Sequence, residues 1–188
     1  MTDQSEFRRR QWRSRMVLLL IAAMFLGSFG LAALLRFSGW EPSHTKNFGT
    51  LLNPPIDFSS QTFRRADGSD YVWQPEQNRW RVVYASNQPC TSECQKLLDT
   101  LRRVWLSQGR HSKSIDILWF AEVPASAPEF SGFVPMLSNQ VISQALLESA
   151  GSQEYSVYLI DSSGFLMMKY KAGFDPTGLK KDLAKLVK

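Results

Sequence analysis

From Met16 to Leu35 the chain reads MVLLLIAAMFLGSFGLAALL, twenty residues without a charge. At about 1.5 Å per residue, a helix over this run spans roughly 30 Å, the thickness of a bilayer's hydrocarbon core. Arg8, Arg9, Arg10, Arg13 and Arg15 precede it, whereas Arg36 is the one basic residue between it and Lys46. The positive-inside rule keeps the N-terminus in the cytoplasm and exports the C-terminal remainder of the chain. A cleaved signal peptide has a shorter apolar region, about 7–15 residues, ending on small residues of the A-x-A kind. Leu34-Leu35-Arg36-Phe37 makes a poor cleavage site, and no cysteine stands just after the segment to accept a lipid. The expectation is a single-pass anchor over residues 16–36 of an inner (cell) membrane, with a basic cytoplasmic tail at 1–15 and a periplasmic C-terminal domain.

The anchor also explains the charge. The chain carries a net +5, but residues 1–15 set five arginines against Asp3 and Glu6, and Arg36 adds one more. Residues 37–188 hold 16 basic and 15 acidic side chains. A basic chain invites a nucleic-acid reading; here the basicity is a topology signal, and no nucleic acid is expected as a partner.

Residues 37–55 (FSGWEPSHTKNFGTLLNPP) are rich in Gly, Pro, Ser and Asn and suggest a tether. The remaining 56–188 are long enough to bury one core. Two extended runs flank Ala66-Asp67-Gly68, a hairpin signal. Trp80–Ser86 and Ile115–Val123 form apolar strands. Between them Leu97, Leu98, Leu101, Val104 and Trp105 mark one helical face. Ser138 is expected to cap a helix ending near Gly151, YSVYLI and FLMMKY to form a hairpin, and Asp175-Pro176 to open a last helix. The order hairpin, β, α, β, α, β, β, α predicts an α/β sandwich, thioredoxin-like, with parallel central strands and an antiparallel edge.

Both cysteines lie in Gln88-Pro-Cys-Thr-Ser-Glu-Cys-Gln95, where the first strand gives way to a helix. Residues four apart on a helix have Cα atoms about 6 Å apart, within the range a disulfide needs. A helix N-terminus, with its unpaired N–H groups, stabilises a thiolate. As a structural staple, so short a loop removes roughly 2 kcal/mol of unfolded-state entropy, against roughly 4–5 for a bridge across the domain. The pair therefore points to chemistry, in an oxidising compartment where a disulfide persists. Two thiols without a neighbouring His or third Cys do not complete a tetrahedral zinc site.

Over roughly residues 50–188 the chain resembles the Sco/SenC family, membrane-anchored thioredoxin-like proteins of cytochrome c oxidase assembly. The resemblance rests on Asn53-Pro-Pro-Ile-Asp-Phe58, on Arg81-Val-Val-Tyr84 running into Cys-x3-Cys, and on Val157-Tyr-Leu-Ile-Asp-Ser-Ser-Gly164 before a final amphipathic helix. It implies copper bound through the two thiolates and a His shortly before the Tyr-Leu strand, with prolines after both cysteines. Here Thr91 and Gln95 replace the prolines and Gln153 stands at the position of the His. Cu(II) favours imidazole, whereas Cu(I) is content with thiolate and thioether.

His111 lies past the helix that carries Cys94 and is remote, His44 sits in a tether that would have to fold back, and Met136 is a candidate thioether whose plainer reading is a core or loop methionine. Met167 and Met168 suit packing on an edge strand. The leading expectation is a Sco-like assembly factor acting by thiol–disulfide exchange, with Cys90 attacking and Cys94 resolving. The expected partner is a cytochrome c oxidase subunit at its copper site, or another copper chaperone or assembly factor. Two alternatives stand beside it: a Cu(I) chaperone holding the metal on Cys90 and Cys94, and a non-catalytic thioredoxin-like scaffold.

Overall fold

The computed structural model describes residues 3–38, 47–150 and 155–187, and it divides into two units, Met1–Thr45 and Lys46–Lys188. The first is a single helix, α1 (Asp3–Phe37). Its stretch Arg15–Phe37 is long and apolar enough to cross a membrane, and none of it is buried within the protein. Leu18, Leu19 and Leu20, which successive turns of about 100° place on different sides of the helix, are each at least 63% exposed. A helix apolar all round needs a surrounding that is not water.

The second unit is a six-stranded mixed sheet with helices on both faces. Its elements are β1 (Thr50–Asp57), β2 (Phe63–Arg64), β3 (Asp70–Tyr71), β4 (Trp80–Ala85), α2 (Ser92–Leu106), β5 (Ile115–Phe120), β6 (Phe133–Pro135), α3 (Gln140–Ala150), β7 (Tyr155–Ile160), β8 (Phe165–Lys171) and α4 (Pro176–Leu186). The sheet order is β1-β8-β7-β4-β5-β6. Strands β4, β5 and β6 run parallel, with Val82 opposite Ile117 and Leu118 opposite Val134. Strands β7, β8 and β1 continue antiparallel. This is the predicted thioredoxin-like sandwich.

Alternation along the strands divides the core. Val82, Ile117, Trp119 and Leu159 pack against Leu98 and Leu101 of α2 and Leu179 and Leu183 of α4. Their neighbours Val83, Leu118, Phe120 and Ile160 pack against Ile142 and Leu146 of α3 on the opposite face. Strands buried on both faces must be apolar nearly throughout, and β5 is buried at all six positions.

The structure departs from the sequence reading in several places. Thr50–Pro55, expected to be tether, belongs to β1 and forms the sheet's edge. An edge strand tolerates Asn53-Pro54-Pro55 because it has a side with no ladder to serve, and its register shifts between Leu51 and Ile56. Met167 and Met168 consequently lie inside the sheet on β8 rather than on an edge. Asn139, not Ser138, caps α3, its Oδ1 accepting the Val141 and Ile142 N–H groups. Gly151 lies outside the described residues. Asp175 does cap α4, accepting the Thr177 N–H at 2.9 Å.

The β2–β3 hairpin turns through Asp67, whose Oδ1 accepts the Ser69 N–H, and through Gly68 at φ +85°. It closes over the β6 edge, where Leu137 N–H donates to Arg64 O and Ala66 N–H to Pro135 O.

Candidate thiol–disulfide site

Strand β4 delivers the chain to the thiols. Past Ala85 the backbone leaves the sheet, the Ser86 N–H still donating to Phe120 O at 3.1 Å. Thr91 is the N-cap of α2, with extended backbone and no side-chain cap bond. Cys90 thus stands one residue before the cap and Cys94 is the third residue of the helix. The expectation of both on one helical turn is corrected in this detail: Pro89 disfavours helix at Gln88, and Thr91 suits a cap better than a helix interior. The Cα atoms are nevertheless 5.3 Å apart, and the two sulfurs are bonded.

The two cysteines differ in access. Cys94 is 8% exposed and packs in the core with Leu98 and Leu101. Cys90 is half-buried against the edge of that core. Beside it opens a cleft of about 440 Å³ lined by Pro89, Glu122, Met136 and Leu137 among others.

Glu122 was not legible as a site residue. The apolar run Ile115–Val123 suggests strand throughout, but β5 stops at Phe120 and the chain turns. Trp119 Nε1 donates to the Glu122 backbone O at 3.1 Å, and the Glu122 carboxylate accepts the Cys90 N–H at 3.1 Å. Its position just past the end of a parallel strand, where such sheets carry their sites, was the available signal.

The donor set fits one oxidation state of copper better than the other. Among the described residues no three His, Cys, Asp or Glu come together as a metal site. His111 lies in the 3₁₀ turn Gly109–Ser114 and accepts a hydrogen bond from Arg110 Nε. It lies beyond the far end of α2, whose length carries it more than ~20 Å from the thiols. His44 and Gln153 lie outside the described residues. Met136 is 4% exposed and belongs to the α3-side core, yet it also lines the cleft. Once reduced, Cys90 and Cys94 offer two soft thiolates, which suit Cu(I), and among the described residues no imidazole stands beside them for Cu(II).

At the opposite end of β4 a buried polar network was also missed. Arg81 is 1% exposed, its Nη1 donating to the carbonyls of Arg79, Asp161 and Ser162, and its Nε to Tyr71 Oη. Tyr71 donates to Asp116, which Arg79 also pairs at 2.7 Å. Burial, reinforced by the Asp116 carboxylate, pushes the Tyr71 hydroxyl well above the usual phenol range. This network ties the hairpin to the sheet.

A family described as transmembrane-like, thioredoxin-like, C-terminal domain matches residues 80–188, from β4 to the end of the chain. No curated protein matches. Among solved structures, a SCO1/SenC family lipoprotein from Bacillus anthracis is similar at 14% identity, with a TM-score of 0.52 over 73% of this chain and 99% of that one. Arabidopsis thaliana ScoI with copper bound is 12% identical, TM-score 0.49, over 74% and 98%. Sco1 from Thermus thermophilus is 16% identical, TM-score 0.48, over 78% and 98%. At 14% identity the likeness to the Bacillus anthracis protein is one of fold, and at that level the resemblance to the Sco/SenC proteins is borne out.

Proposed function

The chain belongs to the transmembrane-like, thioredoxin-like C-terminal domain family, and from this we propose that it is a membrane-anchored, Sco-like assembly factor that exchanges disulfides through Cys90 and Cys94. The target is the cysteine pair of an oxidase copper site, or of a copper carrier that serves it. That target rests on the resemblance to the Sco/SenC proteins, and the working domain then lies on the periplasmic side of the anchor.

The observation that supports exchange is the unequal access of two sulfurs close enough to bond: Cys90 half-buried beside an open cleft, Cys94 at 8% exposure within the core. In the reduced protein the Cys90 thiolate attacks a partner disulfide. A Cys90–partner S–S bond forms, the partner's own S–S bond breaks, and one partner thiolate leaves. Cys94 then attacks the Cys90 sulfur, forming the Cys90–Cys94 bond and releasing the second partner thiolate. Two electrons pass from the pair to the partner, whose thiolates take up two protons. The bonded pair is the oxidised end of this cycle.

Equilibration of the full chain in detergent with glutathione buffers of graded redox poise tests the reading. The pair is expected to interchange freely, with a potential above about −300 mV. A far lower potential with negligible exchange marks a structural bridge and overturns the proposal in favour of a scaffold. One observation favours a second reading, Cu(I) carriage: Met136 lines the cleft that opens beside Cys90, together with its neighbour Pro89.

A further inference from the structure

The cleft beside Cys90 has a charge of one sign. Glu122 is the only charged residue lining it among the described residues; the others are neutral, from Ser86 and Pro89 to Leu137 and Ser138. The Glu122 carboxylate oxygen sits 3.1 Å from the Cys90 nitrogen. The next acid, Glu93, is exposed in the first turn of α2 beside Cys94. Lys96, the nearest cation along that helix, comes a turn later.

In a mixed disulfide, the partner's Cα must lie about 4.4–6.8 Å from that of Cys90. Residues one or two places from the partner's cysteine therefore pass within side-chain reach of Glu122. A lysine or arginine there gains a charge-assisted hydrogen bond, and an acidic residue meets repulsion. Resting on the exchange reading above, we propose that the site selects partners whose reacting cysteine is flanked by Lys or Arg, and that Glu122 is the residue that selects them. The exposed Leu137, at 45%, gives the same partner segment an apolar resting place on the cleft wall.

The test uses the full chain in neutral detergent with Cys94→Ser, which leaves Cys90 as the only thiol. It is offered two peptides, each carrying one cysteine bonded to thionitrobenzoate and differing only in Lys or Glu on either side of it. Cys90 displaces coloured thionitrobenzoate and forms the Cys90–peptide disulfide, so the rate is read directly. The Lys peptide is expected to react roughly three- to tenfold faster at low salt, with the ratio falling toward one as salt screens the pair.

Glu122→Lys should invert the preference, and Glu122→Gln should bring it close to one. Because each ratio is taken within one variant, a general change in thiol reactivity cancels. Equal rates, or a ratio unmoved by Glu122→Lys, overturn the selection while leaving exchange standing. If neither peptide reacts, the exchange reading falls and the selection with it.

Discussion

Asp182 holds Phe48 from 134 residues away: its Oδ2 accepts the Phe48 N–H at 2.7 Å and the Gly49 N–H at 3.0 Å. The same oxygen accepts the Tyr170 O–H at 3.0 Å, and Lys185 pairs with Oδ1 at 3.2 Å. A carboxylate 1% exposed is tolerable only when so fully partnered. It fastens the approach to β1 onto α4, and Phe48 lies directly against Gly178 of that helix. Asp182→Ala leaves the buried Gly49 N–H and the Tyr170 hydroxyl without their acceptor and should cost about 2–4 kcal/mol. Chemical denaturation of the two proteins checks this; a loss under about 0.5 kcal/mol, the range of an ordinary surface change, contradicts it.

Tyr170 makes the same contact sensitive to alkali. Burial first, and then the Asp182 charge, raises its hydroxyl far above the ordinary phenol range. In the unfolded chain it titrates near its usual value of about 10. Above that pH the unfolded state has lost a proton that the folded state keeps, so stability, whole below about pH 10, falls as pH rises. Thermal unfolding of wild type should therefore lose midpoint more steeply between about pH 9 and 11 than that of Tyr170→Phe, which has no proton to lose. Parallel slopes show that the hydroxyl is not held in this way.

The sequence made plain whatever rests on periodicity. Val82 and Val83, facing opposite cores, show why β4 had to be apolar on both sides, and Leu98, Leu101 and Trp105 fell on one face of α2 as expected. The thiols were legible because a strand running into a helix leaves few places for them. Short irregular elements were not. β6 is three residues long, too brief to show a period, and β1 is hidden by two prolines that only an edge accepts. Contacts between distant segments were invisible as well. Arg81 gave no sign that it would be buried, because its partners come from Tyr71 and from the turn at Asp161 and Ser162. Glu122 became a neighbour of Cys90 only once β4 and β5 lay side by side.

Alkylation of the reduced protein should discriminate between the two cysteines. Cys94 is 8% exposed within the core, whereas Cys90 sits at its rim. Reaction with iodoacetamide in the folded state requires access to the sulfur, so Cys90 should be modified at least about tenfold faster. Peptide mass spectrometry at partial modification gives the ratio directly. Equal labelling contradicts the roles given to the two sulfurs.

Gly132 is the close-packed point of the loop leading into β6. A Cβ there would collide with Trp105 Nε1, and that nitrogen already donates to Ile115 O at 2.9 Å. The indole is 8% exposed and has little room to retreat. Gly132→Ala should therefore cost about 2–4 kcal/mol, combining overpacking with a strained buried hydrogen bond. Denaturant midpoints measure it, and a neutral result implies that the loop moves away freely.

Copper separates the two readings of the thiols. Reduced, Cys90 and Cys94 supply two soft ligands, and among the described residues the thioether lining the adjoining cleft is that of Met136. Such a set should hold one Cu(I) per chain and lose it when either cysteine becomes Ser, while Cu(II), with no imidazole beside the thiols among the described residues, should pass through a desalting column unretained. Metal counting after each addition, with optical spectra for any thiolate-to-Cu(II) band, reads both outcomes. If Cu(I) is retained and Met136→Leu weakens it while glutathione exchange stays slow, carriage is the function and exchange is incidental. If the pair exchanges readily but releases Cu(I) to a competing chelator as fast as a free dithiol does, the sulfurs move electrons and not metal. Firm retention of Cu(II) shows that an unrecognised nitrogen ligand completes the site, and it refutes the assignment of Gln153 as the residue that removes that capacity.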